Sequence, residues 1–204
     1  PTEESEYISG EDEAAKIEIF ICDHLDGRLF AIYGASLGCL PALLVSVGRK
    51  VIVEHMILDG AEDVSFGIFN PLMTKVIARM EGKIVKKVVS GDAKIVTVMM
   101  GMKEYSPEML SEMIYTGASN KTLENATIAG ATFYNKTIKG IKPHTDIKAA
   151  CWYGAKEGNM KTAVAALKRI FPGIVVKAFA GYGHGEILRH PEQLRAEIDR
   201  FVNA

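Results

Sequence analysis

One serine of this chain lies in a setting that favours a nucleophile. Residues 30–40 read FAIYGASLGCL, so Ser36 is flanked by Gly34 and Gly38 in the pattern Gly-x-Ser-x-Gly. A serine held in an unfavourable backbone conformation brings the residues two positions away on either side close together, and only small residues fit there. The pattern therefore predicts a sharp turn that raises the Ser36 hydroxyl above its surroundings. An ordinary tight turn between a strand and a helix is the alternative.

A nucleophilic serine needs a base, and histidine is the usual one. The segment FAGYGHGEIL places His184 just after an apolar run, between glycines at 181, 183 and 185 that let the loop turn sharply. We therefore predict that His184 is the base. The other histidines are predicted to be structural: His190 as a helix cap, His24 and His144 in exposed polar segments, and His55 as a partly buried residue of a strand.

The histidine in turn needs a carboxylate that holds its tautomer and stabilises the imidazolium. Glu157 lies three residues beyond Gly154, after an apolar run, and is the preferred candidate. Asp59, at the end of an earlier apolar run in ILDGA, is the alternative acid. For Glu157 the competing interpretation is a solvated loop carboxylate beside Lys156.

The residue after the serine supplies a further group. If Ser36 lies between a strand and a helix, the backbone N–H of Leu37 is at the N-terminus of that helix. Such an N–H is free to point at a negative charge that develops on an attacked carbonyl oxygen. We therefore predict Leu37 as an oxyanion donor.

Strands and helices must alternate to position these residues. Apolar runs at 28–34, 52–59, 147–154 and 173–181 predict strands, and segments of helical periodicity lie before, between and after them. Such alternation indicates an α/β protein with a mostly parallel sheet flanked by helices. The region 62–146 predicts only helices, at 70–89, 106–115 and 121–138, and is interpreted as an insertion.

Composition excludes several classes of protein. The chain has 204 residues, of which 48% are hydrophobic and 24% charged, and a formal net charge of −1. It has no basic stripe for nucleic acid and no apolar run of about 20 residues that would cross a membrane, so neither partner is expected. No CxxC or HExxH motif indicates a metal. Cys22, Cys39 and Cys151 are expected to be buried thiols of a cytoplasmic protein.

The candidate residues follow one another in the order serine, acid, histidine, and their segments resemble the α/β-hydrolase superfamily. The matching segments are YGASLGCLPALL, VEHMILDGA, WYGAKE and GYGHGEIL followed by HPEQL. The resemblance, to small bacterial carboxylesterase- or lipase-like enzymes, implies a serine hydrolase that acts on a small acyl substrate without cofactor or metal. It implies a core at 1–61 and 147–204, and a helical lid at 62–146. An acyltransferase with the same residues, or a non-catalytic protein that binds a small ligand, remains an alternative.

One departure from the superfamily concerns the N-terminus. Members have several strands and a glycine-rich loop, often His-Gly, before the nucleophile, whereas only 35 residues precede Ser36 here. The resemblance therefore implies that an N-terminal segment is missing, together with a second oxyanion donor. The strand at 28–34 should then have a free edge. An N-terminal segment or a second chain is the expected partner that completes the sheet.

Overall fold

Four parallel strands form the sheet that carries the candidate residues. The structure is a computed structural model that describes residues 6–61, 63, 67–89 and 119–204. In the described residues the strand order is β1-β2-β3-β4, with β1 at Arg28–Ala35, β2 at Ile52–Asp59, β3 at Lys148–Gly154 and β4 at Val175–Phe179. Every neighbouring pair is parallel. The predicted α/β architecture with a parallel sheet is therefore confirmed.

Helices occupy the segments that connect or flank these strands. They are α1 at Gly10–His24, α2 at Cys39–Val47, α3 at Asn70–Val89, α4 at Asn120–Thr132, α5 at Met160–Ile170 and α6 at Pro191–Val202. Ser9 is the N-cap of α1, because its Oγ accepts a hydrogen bond from the Asp12 N–H at 3.1 Å. The helix predicted at 106–115 lies outside the described residues.

The chain divides into two compact units. One comprises Pro1–Ile8 and Phe66–Ile128, and the other comprises Ser9–Ser65 and Ala129–Ala204. The whole sheet and all the candidate site residues belong to the second unit. In the first unit, the backbone N–H of Tyr7 donates to Thr122 Oγ1 at 3.2 Å and Asn125 Nδ2 donates to the Tyr7 carbonyl at 2.9 Å, so the described N-terminal residues are attached to α4.

Two apolar clusters of described residues lie in the second unit. One joins Ala14 and Ile21 of α1 to Val45 of α2 and to Val53 of β2. The other joins Ile57, Trp152 and Phe179 of three strands to Phe201 of α6. Because helices cover a parallel sheet, side chains on its strands are buried. This burial explains why the strand sequences are nearly continuous apolar runs.

Strand β1 is an edge strand within the described sheet. It pairs with β2 from Arg28↔Ile52 to Ala35↔Asp59, and no other described strand pairs with it. Phe30 of this strand is 58% exposed. The edge predicted at 28–34 is therefore confirmed, and its apolar composition is typical of a strand with neighbours on both sides.

Two sequence-based expectations about single residues are wrong. Cys22 of α1 is exposed, whereas Cys39 and Cys151 are buried as predicted. His144 is buried, not exposed, and its ring lies against Phe171 at 6.1 Å between centroids. His190 is the N-cap residue of α6 as predicted, but its side chain makes no cap hydrogen bond and its ring stacks on that of Tyr182 at 4.9 Å between centroids.

Among the helices that the structure describes, none combines the length and apolar character that crossing a bilayer requires.

Candidate active site

Ser36 lies at the sharp turn that follows β1. A short 3₁₀ turn, Ser36–Gly38, connects this strand directly to α2. The φ angle of Ser36 is +51°, which is in the left-handed region that residues other than glycine rarely adopt. A strained residue of this kind indicates a position that the surrounding structure enforces, and such positions cluster at functional sites.

The two glycines of the motif have different surroundings. A Cβ added at Gly34 would lie 2.5 Å from the Gly38 carbonyl oxygen and 2.8 Å from the Ala42 Cβ. A Cβ added at Gly38 would meet no heavy atom within 4 Å, and its φ and ψ of −64° and −15° are ordinary helical values. The predicted steric requirement thus holds at Gly34 and is wrong at Gly38, where an added Cβ would lie in open space.

This difference gives a matched pair of substitutions. Gly34→Ala is expected to destabilise the fold by about 1–3 kcal/mol and to displace the Ser36 hydroxyl, because the new methyl group meets backbone atoms. Gly38→Ala should instead stabilise the protein by about 0.4–1 kcal/mol, since the conformation suits alanine. Chemical denaturation of both variants measures the effect. Equal destabilisation by the two changes would contradict the steric argument.

His184 makes hydrogen bonds through both ring nitrogens. It lies in the loop after β4, and its Nε2 is 2.9 Å from Ser36 Oγ. Its Nδ1 is 2.9 Å from Glu157 Oε2. The side chain is 44% exposed, so one face of the ring is open to a ligand. The loop is closed on itself by Glu186, whose Oε2 accepts the Gly183 N–H at 2.6 Å.

Glu157 is a buried carboxylate with two partners. Its Oε1 accepts the backbone N–H of Gly154 at 2.6 Å, and its Oε2 faces His184 Nδ1. Only 2% of the side chain is exposed. The interpretation of Glu157 as a solvated loop carboxylate is therefore wrong. A buried carboxylate needs such partners, and these two fix its orientation toward the imidazole.

Asp59, the alternative acid, has a different partner. Its carboxylate is buried at the end of β2 and accepts a hydrogen bond from the Tyr33 hydroxyl at 2.5 Å. Burial raises the pKa of Asp59, and the charge of Glu157 raises it further. Burial and the Asp59 carboxylate together raise the pKa of Tyr33, so this hydroxyl stays protonated as a donor. Of the two acids, it is Glu157 that is hydrogen-bonded to His184.

Gly60 is a residue of the site that sequence reasoning missed. Its φ is +66°, and an added Cβ would lie 2.8 Å from His184 Cε1 and 3.0 Å from His184 Nδ1. The imidazole therefore rests directly on the backbone at the end of β2. The dipeptide Asp59-Gly60 is typical of a turn. The sequence alone does not show that the His184 ring occupies the space beside Gly60.

The turn after Ser36 also contains the predicted oxyanion donor. Leu37 is the second residue of the 3₁₀ turn, so its N–H is one of the helix-terminal donors that α2 does not require. Cys39, two residues on, is buried and its Sγ lies 3.2 Å from the Gly34 carbonyl oxygen. Burial raises the pKa of Cys39, which stays a thiol that braces the turn.

The arrangement can transfer a proton from the serine. With the Nδ1–H donating to Glu157, the Nε2 lone pair faces the Ser36 hydroxyl and can accept its proton. Within the described part of the chain, no group of three or more His, Cys, Asp or Glu side chains is arranged to hold a metal ion.

Known structures provide an independent comparison. A protein from Desulfitobacterium hafniense, named for the α/β-hydrolase family, superposes with a TM-score of 0.74 at 19% identity, covering 98% of this chain and 79% of that one. A structure from Nitrososphaera gargenis, determined in a study of carboxylesterases, superposes with a TM-score of 0.64 at 14% identity, covering 99% of this chain and 74% of that one. MenH from S. aureus superposes with a TM-score of 0.67 at 14% identity, covering 100% of this chain and 78% of that one. No protein-family model matches the sequence, and no curated protein matches it significantly.

Proposed function

Because the chain has the α/β-hydrolase fold, we propose that it is a serine hydrolase that cleaves a carboxylic ester or a related acyl compound. One observation carries this proposal: the hydrogen-bonded series from Ser36 Oγ through His184 to Glu157, with 2.9 Å at each step. The positive φ of Ser36 supports the proposal, because residues with a strained backbone cluster at functional sites.

In the first half of the proposed reaction, Ser36 Oγ attacks the acyl carbon while His184 Nε2 takes the hydroxyl proton. The carbonyl oxygen becomes negative, and the Leu37 N–H donates a hydrogen bond to it. When the tetrahedral intermediate collapses, the bond to the leaving alcohol breaks and the imidazolium returns the proton to that oxygen. The acyl group is then esterified to Ser36.

In the second half, a water molecule takes the place of the alcohol. His184 accepts a proton from this water as its oxygen attacks the acyl-enzyme, and then gives the proton to Ser36 Oγ as the acid leaves. Glu157 stabilises the imidazolium in both halves and keeps the proton of the neutral ring on Nδ1. The buried position of Glu157 strengthens this interaction, since little water screens it.

The proposal includes a second polypeptide element at the free edge of β1. A strand there, from an N-terminal segment or from a second chain, would satisfy the unpaired backbone of β1 and bring a second oxyanion donor close to Leu37. The apolar composition of β1 and its single described neighbour support this part of the proposal. Loss of one such donor costs about 2.7–4 kcal/mol in the transition state.

Labelling with a fluorophosphonate tests the proposed nucleophile. The activated Ser36 oxygen should attack phosphorus and expel fluoride, giving one adduct that peptide mass spectrometry locates at Ser36. His184→Gln should abolish labelling because the base is lost. Ser46 is a built-in control, since its Oγ is buried and donates to the Ala42 carbonyl at 2.8 Å, and it should remain unlabelled. A folded protein that forms no adduct would favour a non-catalytic role in binding a small ligand.

A further inference from the structure

Helix α3 carries a row of apolar side chains on its exposed side. Leu72, Val76 and Met80 recur every four residues, and the turn before the helix adds Ile68 and Phe69. The exposed fractions of these five residues range from 39% to 88%. Among the described residues, the apolar row is therefore exposed and not covered by another element.

The same helix has a separate packed side. Thr74, Ala78 and Gly82 also recur every four residues and are buried. An added Cβ at Gly82 would lie 3.0 Å from Asn120 Oδ1, so α4 approaches α3 closely at this point. Because α3 already buries one side in its own unit, the exposed apolar row is not required to hold that helix in place.

A second row on the exposed side is basic. Lys75, Arg79 and Lys83 recur every four residues and run parallel to the apolar row. With Asn120 and Glu124 of α4 they line an open groove of about 480 Å³. Among the ion pairs between described residues, none involves these three cations. Three cations and one carboxylate leave the groove with a net positive charge.

The two rows together fit one kind of surface. An anionic lipid bilayer offers apolar chains and negative headgroups side by side, which matches an apolar row adjacent to a basic row. A neutral apolar partner would leave the basic row unused, and a free anion would leave the apolar row exposed. The net charge of the whole chain is −1, so the complementarity is local to α3.

We propose that α3 binds peripherally to an anionic membrane surface. Ile68, Phe69, Leu72, Val76 and Met80 enter the boundary between headgroups and acyl chains, and Lys75, Arg79 and Lys83 lie at the level of the phosphates. The sequence-based expectation of no membrane partner rested on the absence of a spanning segment, which a helix lying in the surface does not need. The proposal is independent of the proposed catalytic function.

Vesicle sedimentation of the full chain tests this proposal. We expect binding to vesicles of phosphatidylcholine with one-third phosphatidylglycerol, weak binding to phosphatidylcholine alone, and a decrease in binding with salt. Replacing Lys75, Arg79 and Lys83 by Gln should weaken binding to the anionic vesicles about a hundredfold, at about fivefold per cation. Leu72→Ser with Val76→Ser should weaken it at least about tenfold.

The chain offers matched controls for both variants. Lys161, Lys168 and Arg169 are exposed on α5, and replacing them by Gln removes the same charges elsewhere. Ile19→Ser with Leu25→Ser removes exposed apolar side chains from the end of α1. Circular dichroism shows whether each variant is folded.

Three results would overturn the proposal. The first is wild-type protein that stays in the supernatant with anionic vesicles, and the second is equal loss of binding in the control variants. The third is a protein dimer in sedimentation equilibrium that Leu72→Ser with Val76→Ser dissociates, because a second copy would then cover the row. None of these results bears on labelling of Ser36, so failure here is distinguishable from failure of the proposed function.

Discussion

Ser36→Ala is expected to reduce ester hydrolysis by about four to six orders of magnitude, because no other group in the described site replaces the attacking oxygen. The loss should appear in kcat, since the hydroxyl is needed for the chemical step and contributes little to binding of the ester. Initial rates with a p-nitrophenyl ester, followed from micromolar to millimolar substrate, separate kcat from KM.

Ser46→Ala is the matched control for this change. It removes a hydroxyl from α2, the helix that follows Ser36, but this hydroxyl donates to the Ala42 carbonyl and lies outside the candidate site. Its turnover should stay within about twofold of wild type, while stability falls by about 1 kcal/mol. If Ser36→Ala retained the turnover of Ser46→Ala, the acyl-enzyme mechanism would be excluded.

The second large effect is expected at Glu157. Glu157→Gln keeps the shape of the side chain but can present an N–H to His184, which favours the imidazole tautomer with its proton on Nε2. That tautomer cannot accept the Ser36 proton, so kcat should fall about 10³–10⁴-fold. Initial rates with the p-nitrophenyl ester give kcat and KM of this variant, and the loss should appear in kcat.

Asp59→Asn distinguishes the two acids. The side-chain amide oxygen of this variant would still accept the Tyr33 hydroxyl, and because Asp59 is not the residue hydrogen-bonded to His184, turnover should change less than about threefold. The free energy of unfolding, unlike turnover, should change with this substitution in a way that depends on pH. The raised pKa of Asp59 means that the unfolded chain loses this proton first, so native stability declines as the pH rises above about 4 toward the raised value.

The asparagine variant removes that decline, and its midpoint of urea unfolding should depend less on pH above about 4 than the midpoint of wild type. A greater loss of kcat in Asp59→Asn than in Glu157→Gln would assign the acid to Asp59 instead.

Local signals explain how much of the fold the sequence predicts. The strands at 28–34 and 52–59 and the turn at Ser36 depend on residues adjacent in the chain, and each has the expected structure. The choice between Glu157 and Asp59 has no such local signal, because Asp59 ends one strand and Glu157 follows another. It depends on the loop after β3, where Glu157 turns back onto the Gly154 N–H.

Other features have no local signal. The open space at Gly38 and the contact of Gly60 with the imidazole result from packing between segments far apart in the chain. The burial of His144 depends likewise on Phe171, which the polar neighbours of this histidine do not reveal. Sequence patterns identify which side chains are chemically suited to the site, whereas tertiary packing decides what surrounds them.

The long sequence separation within the candidate site has a consequence for when the site forms. Ser36 and His184 are 148 positions apart, and their contact requires all four strands to be in register. Closing such a distance is slow, because chain entropy is lost before the contact forms. On the ribosome, Ser36 emerges early and remains without His184 until residues after 184 have left the tunnel. Under the proposed mechanism the nascent chain therefore cannot hydrolyse an ester before its topology is complete, and ester turnover would report only folded protein.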